Sequence, residues 1–482
     1  MSDPNKQLLE KFKPQNRYSN FGPFLLNLTI NGFRGLRNLV VNFQHPVTAI
    51  SGLNGAGKST IGQLAVCAYK PPSTTTEYKR QYIKDFFPIS AADPKPIDDE
   101  PSLLFQYTTD TVERFKDVTI TRASSSWSGY KRQPERCCYY VGFTVYIPKV
   151  ERRDLSVYSG KDIELTRKRI IDQDVQDKVA RIIGQKYEEI AFQCFQLKER
   201  QAEIGIASKF GNSYSENNMG FGEGRVLYIV DKLENAPEQS LFVLEEPETS
   251  LHENAQYELS KYLLDVCNRR HHQIIASTHS SIFLSALPPE SRKLLLRDRN
   301  GVVIHGGISA NQVRSVLSDG YSKSLDICVE DEFAEKLLIE AIRRQDKSIL
   351  KSIAIHRIGD KKAVGKAVNV LRQTGKNAVA VRDPDVGEDI ANKMFSFPGE
   401  FPPEKEVYDN QRIRKYLGEK YNIDLDWLKT KTQTTDHHKI SEIVAIEALS
   451  KPDIIATFVI EEFLKENQDC FVTLINHIKG SI

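Results

Sequence analysis

Between the β-branched stretch Val47-Thr48-Ala49-Ile50 and a helix expected to begin at Lys58 lies the run Gly52-Leu53-Asn54-Gly55-Ala56-Gly57-Lys58-Ser59-Thr60. It fits GxxxxGK[ST] and sits between a strand and a helix, which is the context that gives the pattern its meaning. Glycines at 52, 55 and 57 let the backbone turn its N–H groups inward, and the helix start adds partial positive charge. Such a turn cradles phosphate. Lys58 would contact the outer phosphates of a nucleotide and Ser59 would ligate Mg²⁺, with Asn54, Gly55, Gly57 and Thr60 completing the cradle. A strand–loop–helix unit of this kind commits the N-terminal region to an α/β sheet.

At 482 residues the chain has room for about three domain equivalents. Lys plus Arg number 66 against 64 Asp plus Glu, a net charge of +2, so any polyanion site must be a local patch. Clusters that could serve are Lys79-Arg80, Lys131-Arg132, Arg152-Arg153 and Arg167-Lys168-Arg169, although each taken alone reads as a solvated face. The start lacks the apolar core of a signal peptide, and no apolar run reaches the about 18 residues of a membrane span. Seven scattered cysteines without a CxxC give neither a disulfide framework nor a zinc site. A cytoplasmic globular protein is expected.

Strands are expected over 24–30, 39–43 and 47–50, punctuated by Asn31-Gly32 and Arg34-Gly35. Residues 70–205 read as an insertion, β-rich first (Val118-Thr119-Ile120, Tyr139 to Ile147) and then helical, as over Val175 to Phe192. The α/β pattern returns with Leu241-Phe242-Val243-Leu244 and Gln273-Ile274-Ile275-Ala276-Ser277. A domain boundary is expected at 320/321, after a Gly/Ser-rich polar stretch. A second α/β unit follows, with strands at 326–329, 353–355 and 378–381, helices at 332–345 and 361–372, and a helical last 70 residues. Strand–helix alternation with short links implies parallel strands with right-handed crossovers.

The strand Leu241–Leu244 ends in Glu245-Glu246-Pro247-Glu248. Glu245 would face the Mg²⁺ shell and Glu246 would polarise the attacking water. Thr278-His279-Ser280, after the next strand, offers an imidazole to the γ-phosphate. These residues resemble those of ATP-binding-cassette ATPases, and within them the SMC-like AAA ATPases of DNA repair and phage defence, over about 24–69 and 210–300. The resemblance places Walker A on Gly52–Thr60, Walker B and the catalytic Glu on Leu241–Glu246, a D-loop-like stretch on Pro247–Leu251 and the switch His on His279. It also implies homodimerisation or higher oligomerisation through ATPase heads, with a signature loop at Met219-Gly220-Phe221-Gly222-Glu223-Gly224-Arg225. Gly222 and Glu223 would then cover nucleotide held by a second head. That loop departs from the usual LSGGQ-like form.

In the second unit Glu330 follows one strand, and Asp383 and Asp385 follow another. Carboxyl ends of neighbouring parallel strands open onto one crevice, so the three acids can converge, and packed carboxylates call for hard cations such as Mg²⁺ or Mn²⁺. Asp383-Pro384-Asp385 alone would read as a turn. The set resembles a Toprim domain, and the order of head then Toprim resembles the OLD-family (overcoming lysogenization defect) nucleases. Those are ATP-regulated DNA nucleases, several acting in phage defence, including Gabija-type and retron-associated effectors. What the resemblance implies is an α/β ABC/SMC-like head with β-rich and helical insertions, then a Toprim (Rossmann-like parallel sheet) domain with a helical C-terminus. It implies ATP and Mg²⁺ or Mn²⁺ as cofactors and DNA as substrate. A helicase, or a retron reverse transcriptase with its RNA–DNA, would be a possible partner. Glu330, Asp383 and Asp385 match the Toprim acids. Asp331 stands where Gly is usual, and Ala334 where a second acid is expected, with Glu332 and Glu335 beside it. Glu404 and Glu406 are candidate substitute ligands or a solvated helix start, and Lys439, in Asp436-His437-His438-Lys439, is the candidate lysine near the scissile phosphate. The competing readings are an SMC-like scaffold with a degenerate, non-cleaving Toprim unit, and a Toprim topoisomerase or primase.

Overall fold

The computed structural model describes residues 4–482 except 74–79, 124–125, 147–163, 198–199, 299–300, 319–322 and 374. It divides into two compact units, Met1–Val313 and Arg314–Ile482. The expected boundary at 320/321 lies outside the described residues. The units part slightly earlier, within the helix Ala310–Leu317.

After two short helices, Pro4–Phe12 and Pro14–Phe21, unit 1 forms the hairpin β1 (Leu25–Phe33) and β2 (Leu39–Asn42), followed by β3 (Val47–Gly52). The hairpin turns through Arg34 and Gly35, both at positive φ. Next come β4 (Ile97–Thr108), β5 (Phe115–Ala123), β6 (Ser126–Ser128) and β7 (Cys138–Val141). Then follow β8 (Glu164–Ile170), β9 (Glu189–Leu197), β10 (Arg200–Lys209) and β11 (Asn212–Ser215), and finally β12 (Leu241–Glu245), β13 (Gln273–Ser277), β14 (Arg292–Asp298) and β15 (Gly301–Gly306).

Three sheets result. An antiparallel one runs β2-β1-β4-β5-β6. The central one runs β15-β14-β3-β13-β12-β7, parallel throughout except for β15. The third, β11-β10-β9-β8, is antiparallel.

The third sheet corrects the helical reading of residues 160–205. Among the described residues there, only Gln173–Ile183 is helix, ended by Gly184 in the left-handed region. Beyond it Glu189, Gln193 and Gln196, good helix formers, sit in β9. Gln193 is buried, and its amide donates to the Arg167 and Cys194 carbonyls (3.2 and 2.9 Å). Tertiary pairing overrides propensity here. The insertion also returns a strand to the central sheet: β7 lies parallel to β12. The last residue of the expected Tyr139–Ile147 strand lies outside the described residues.

Two fully buried histidines tie this sheet together. His45 Nδ1 accepts from Val47 N–H (3.1 Å), and His272 Nδ1 accepts from Ser240 N–H (3.2 Å) while its Nε2 faces the Leu233 carbonyl (3.0 Å). Both rings are held neutral, and burial pushes both pKa values down from 6.5 to about 4. Between those values the unfolded chain binds the extra protons. Their stabilisation is therefore complete above about pH 6.5 and is lost as pH falls toward 4, at up to about 2.7 kcal/mol per pH unit for the pair. Urea unfolding at pH 7 and pH 5 should show this loss, and His272→Gln should reduce the slope. Equal slopes in His272→Gln and wild type would contradict it.

Unit 2 holds β16 (Leu325–Val329), β17 (Ile353–Arg357), β18 (Ala378–Arg382) and β19 (Met394–Ser396), all parallel, in the order β17-β16-β18-β19. The helices Glu332–Asp346 and Lys361–Gln373 make the crossovers. One face packs Ile327, Val329, Leu337 and Leu338 against Val459, Ile460 and Leu464 of the helix Pro452–Asn467. Among the described residues no helix is long and apolar enough to cross a membrane.

Candidate functional site

In the central sheet β13 lies between β3 and β12, with Ser277 in register with Ile50 and Glu245. The loops after all three strands therefore leave from one edge. After β3 the backbone passes through Gly52, Gly55 and Gly57, at φ 151°, 73° and 112°. A Cβ on Gly52 would lie 2.3 Å from the Leu295 carbonyl oxygen, so only glycine fits. The helix Lys58–Val66 starts with no side-chain cap, which leaves its first N–H groups for a ligand. Lys58 is buried and its ammonium donates to the carbonyls of Gly52 and Leu53 (2.9 and 3.1 Å), folding the loop around itself. Burial lowers its pKa, against the opposing pull of Glu246 and Glu248. Asn54, Gly55 and Ser59 are exposed, while Thr60 is buried.

Lys58, Ser59, Glu245 and Ser277 line one small enclosed recess. The Oε1 of Glu245 is buried there without a hydrogen-bond partner. An unpartnered carboxylate oxygen beside the Ser59 hydroxyl is an all-oxygen donor set that fits a hard divalent cation. Glu246 follows in the left-handed region (φ 41°), its N–H donating to the Ser277 carbonyl (3.1 Å). Its Oε1 lies 3.4 Å from His279 Nε2, and burial, then the charge of Lys58, lowers the His279 pKa. The pair sets a carboxylate beside an imidazole whose pKa is lowered, on the loops that follow the recess residues Glu245 and Ser277. Glu248 Oε1 accepts from Thr278 Oγ1 (2.5 Å) and His279 N–H (3.0 Å), which locks the loop carrying the imidazole.

The helix Phe221–Asn235 brings the candidate signature loop to the same region. A Cβ on Gly222 would lie 2.5 Å from the Ser250 carbonyl oxygen, so this glycine permits close approach of the stretch after Glu248. Glu223 has another role within the chain than the one expected. Its Oε1 accepts from Tyr187 and Tyr214 hydroxyls and Lys209 (2.7, 2.8 and 3.0 Å), so its carboxylate is committed to the β8–β11 sheet side. Arg225, fully buried, donates through Nη2 to the carbonyls of Glu245 (2.5 Å) and Glu246 (3.2 Å).

In unit 2, β17 lies on one side of β16 and β18 on the other, which makes the β16–β18 edge the topological switch point. Glu330 follows β16, and Asp383 and Asp385 follow β18. Asp383 is only 4% exposed. Burial, then the negative charges of Glu330, Asp331 and Asp385, push its pKa up to about 7. No hydrogen bond to its carboxylate is found among the described residues. Asp383 thus feels the charge of both other expected acids, while the donor group that gathers within 4.8 Å among the described residues is a different one, Glu404, His437 and His438.

The acids beside Ala334 do not join them. Glu332 pairs with Arg357 (3.0 Å) and Lys336 (2.8 Å), Glu335 also pairs with Arg357, and Ala334 itself is in the core. Asp331 caps the helix Glu332–Asp346 through Oδ1 to Ala334 N–H (2.9 Å), and its Oδ2 lies 3.3 Å from His438 Nδ1. Glu404, 4% exposed, lies 3.1 Å from the same nitrogen. Burial, then Asp331, raises the Glu404 pKa to about 8. Glu406 instead accepts from Phe401 N–H (3.3 Å). Lys439 is exposed, and it is the preceding His438 that reaches the acids.

Residues 154–284 match the family model described as AAA ATPase domain. That stretch of unit 1 is similar to an ATPase domain of that kind. The match includes Glu245, Glu246 and His279, and the phosphate loop meets them in the same sheet. Among curated proteins none matches the chain. Similar solved structures include the SMC head domain from Thermotoga maritima, at 16% identity and TM-score 0.35, covering 58% of this chain and 98% of that one. A second is an Smc head domain with an extended coiled coil, bound to the C-terminal domain of ScpA, from Pyrococcus furiosus (12%, TM-score 0.37, 61% and 99%). A third is an SmcHead bound to the C-winged helix domain of ScpA (14%, TM-score 0.37, 59% and 97%). Likenesses this loose carry no argument about the ATPase unit.

Three residues at these sites carry no motif of their own. Glu248 and Arg225 fall inside stretches that the sequence singles out, but their burial comes from tertiary packing. His438 is one place from the lysine that the sequence favours. Some of the basic residues are engaged within the chain: Lys168 pairs with Glu189, and Arg169 grips Asp231 (2.8 and 3.1 Å). Arg80 donates to Gln133 and lies over Tyr82 and Tyr130. Lys131 and Arg132 are exposed. Lys79, Arg152 and Arg153 lie outside the described residues.

Proposed function

We propose that the chain is an ATP-hydrolysing, divalent-metal-dependent DNA endonuclease of the OLD type, with unit 2 as its Toprim nuclease and antiphage defence as its role. The observation that supports the reading is that Asp383, buried after β18 at the switch point of a parallel sheet, feels the negative charges of Glu330, Asp331 and Asp385, which with burial push its pKa up to about 7. Carboxylates gathered this way cost stability unless a cation neutralises them, which is the pattern of a functional site. In this reading Glu330, Asp383 and Asp385 hold Mg²⁺ or Mn²⁺, which activates water and stabilises the leaving oxygen. Water supplies the oxygen bonded to phosphorus and the proton taken up by the leaving sugar oxygen, so no further reactant is needed. In unit 1, Lys58 and the loop N–H groups bind ATP, Ser59 and Glu245 hold its cation, and Glu246 takes the proton of the attacking water. Gly222, at the start of its helix, covers nucleotide held by a second head, so the active form is a homodimer or larger assembly. Lys439 remains the candidate for the scissile phosphate, beside His438.

The test is cleavage of linear and supercoiled DNA with Mg²⁺ or Mn²⁺. Wild type should cut and Asp383→Ala should lose cleavage at least a thousand-fold, with ATP hydrolysis retained. The scaffold reading rests on buried Ala334, and it gains if neither protein cuts while both hydrolyse ATP.

A further inference from the structure

We infer that unit 1 binds a small organic monocarboxylate bearing a hydroxyl or amino group, in a cleft between the start of β14 and the end of β15, with the Lys293 ammonium as the group that holds the carboxylate. The cleft has a volume of about 470 Å³. Small-molecule sites span roughly 300–1,000 Å³. Asn42, Gln44, Glu290, Lys293, Ile304 and Gly306 line it. Asn42 and Gln44 precede β3, and Glu290 precedes β14, so the cleft opens where these two parallel strands begin. The nucleotide loops leave the opposite edge of the same sheet.

Lys293 is only 4% exposed, and among the described residues its ammonium has one hydrogen-bond partner, Gln44 Oε1 (2.8 Å). An ammonium carries three N–H donors, and a buried one is ordinarily paired with an acid. Here no carboxylate among the described residues pairs with it, and burial lowers its pKa with no acid raising it. Gly306 lies opposite Lys293 across the β14–β15 ladder, and a Cβ there would sit 2.8 Å from Nζ. Glycine at that place keeps the ammonium's surroundings clear. A carboxylate brings both the missing counter-charge and acceptors for the remaining N–H groups. Asn42 and Gln44, both exposed, add side-chain amides on the rim. Glu290, exposed on the same rim, decides between anions. It repels a phosphate dianion, whereas a monoanion matches the single ammonium, and a hydroxyl or amino group on the ligand gives Glu290 a donor to accept.

The experiment titrates the full chain with glycolate, L-lactate, L-serine and inorganic phosphate by calorimetry, with and without a non-hydrolysable ATP analogue and Mg²⁺. At least one of the three carboxylates should saturate a single site per chain, at least ten-fold more tightly than phosphate, and the analogue should leave that affinity unchanged. Lys293→Met should weaken it at least ten-fold, and so should Gly306→Val, which keeps the lysine and fills the space beside it. On wild type, peptide mass spectrometry after acetic anhydride treatment gives a readout that needs no variant. Bound carboxylate should slow acetylation of Lys293 at least five-fold and leave the exposed Lys131 unchanged. The inference is overturned if none of the three carboxylates saturates a site, if phosphate binds more tightly, or if the nucleotide analogue displaces the carboxylate. Equal affinity in Lys293→Met and wild type overturns it as well, as does a Lys293 whose acetylation is the same with and without the carboxylate.

Discussion

Glu246→Gln is expected to lower ATP turnover about 100-fold or more while nucleotide stays bound, and Lys58→Ala is expected to remove binding itself. The difference follows from where the two side chains act. Lys58 is buried in the phosphate loop, and its ammonium holds the Gly52 and Leu53 carbonyls. Without it the loop loses both its internal brace and its charge toward phosphate. Glu246 holds none of the loop. Its backbone is set by the Ser277 carbonyl and by Arg225, and its carboxylate projects toward His279. Gln keeps that shape and the left-handed backbone but cannot take a proton from water. Equilibrium nucleotide binding and steady-state phosphate release separate the two effects. Equal turnover by Glu246→Gln and wild type would move the base elsewhere.

Local chemistry carried much of the architecture. A glycine loop with Lys58 admits only a strand before and a helix after, and β3 and the Lys58–Val66 helix obey it. The strands β16, β17 and β18 announce themselves through short apolar runs between turn residues, and their parallel order puts Glu330 and Asp383 on one edge. Long-range pairing is what the residue order hides. Nothing local in Cys138–Val141 says that it will lie beside β12, and Glu189–Leu197 reads as helix until β8 and β10 pair with it. The same holds at the sites. Tyr187, from the loop before β9, and Lys209 and Tyr214, from β10 and β11, come together to claim Glu223. Arg357, across the sheet, neutralises Glu332 and Glu335. Glu404 and His438 meet only because two C-terminal helical segments pack together.

In chelator at pH 8, Asp383→Asn should be more stable than wild type by about 2–4 kcal/mol. Folding raises the Asp383 pKa from 3.8 to about 7, because burial and three neighbouring carboxylates oppose its charge. Between those values the folded chain binds the extra proton, so stability from this group falls as pH rises from about 4 to 7 and stays low above it. That slope is opposite in sign to the one from His45 and His272, so the variant isolates it. Asn is nearly the same size and carries no charge to repel, and divalent ion should remove the same penalty by another route. At a hundred times its dissociation constant, one ion stabilises the folded chain by about 2.7 kcal/mol. Wild type should therefore gain most of its missing stability from Mn²⁺, and Asp383→Asn should gain clearly less. Thermal or urea unfolding of both proteins, with and without the ion, reads all four states. A variant no more stable than wild type in chelator would mean that the acids do not repel one another, and the cation site would lose its physical reason.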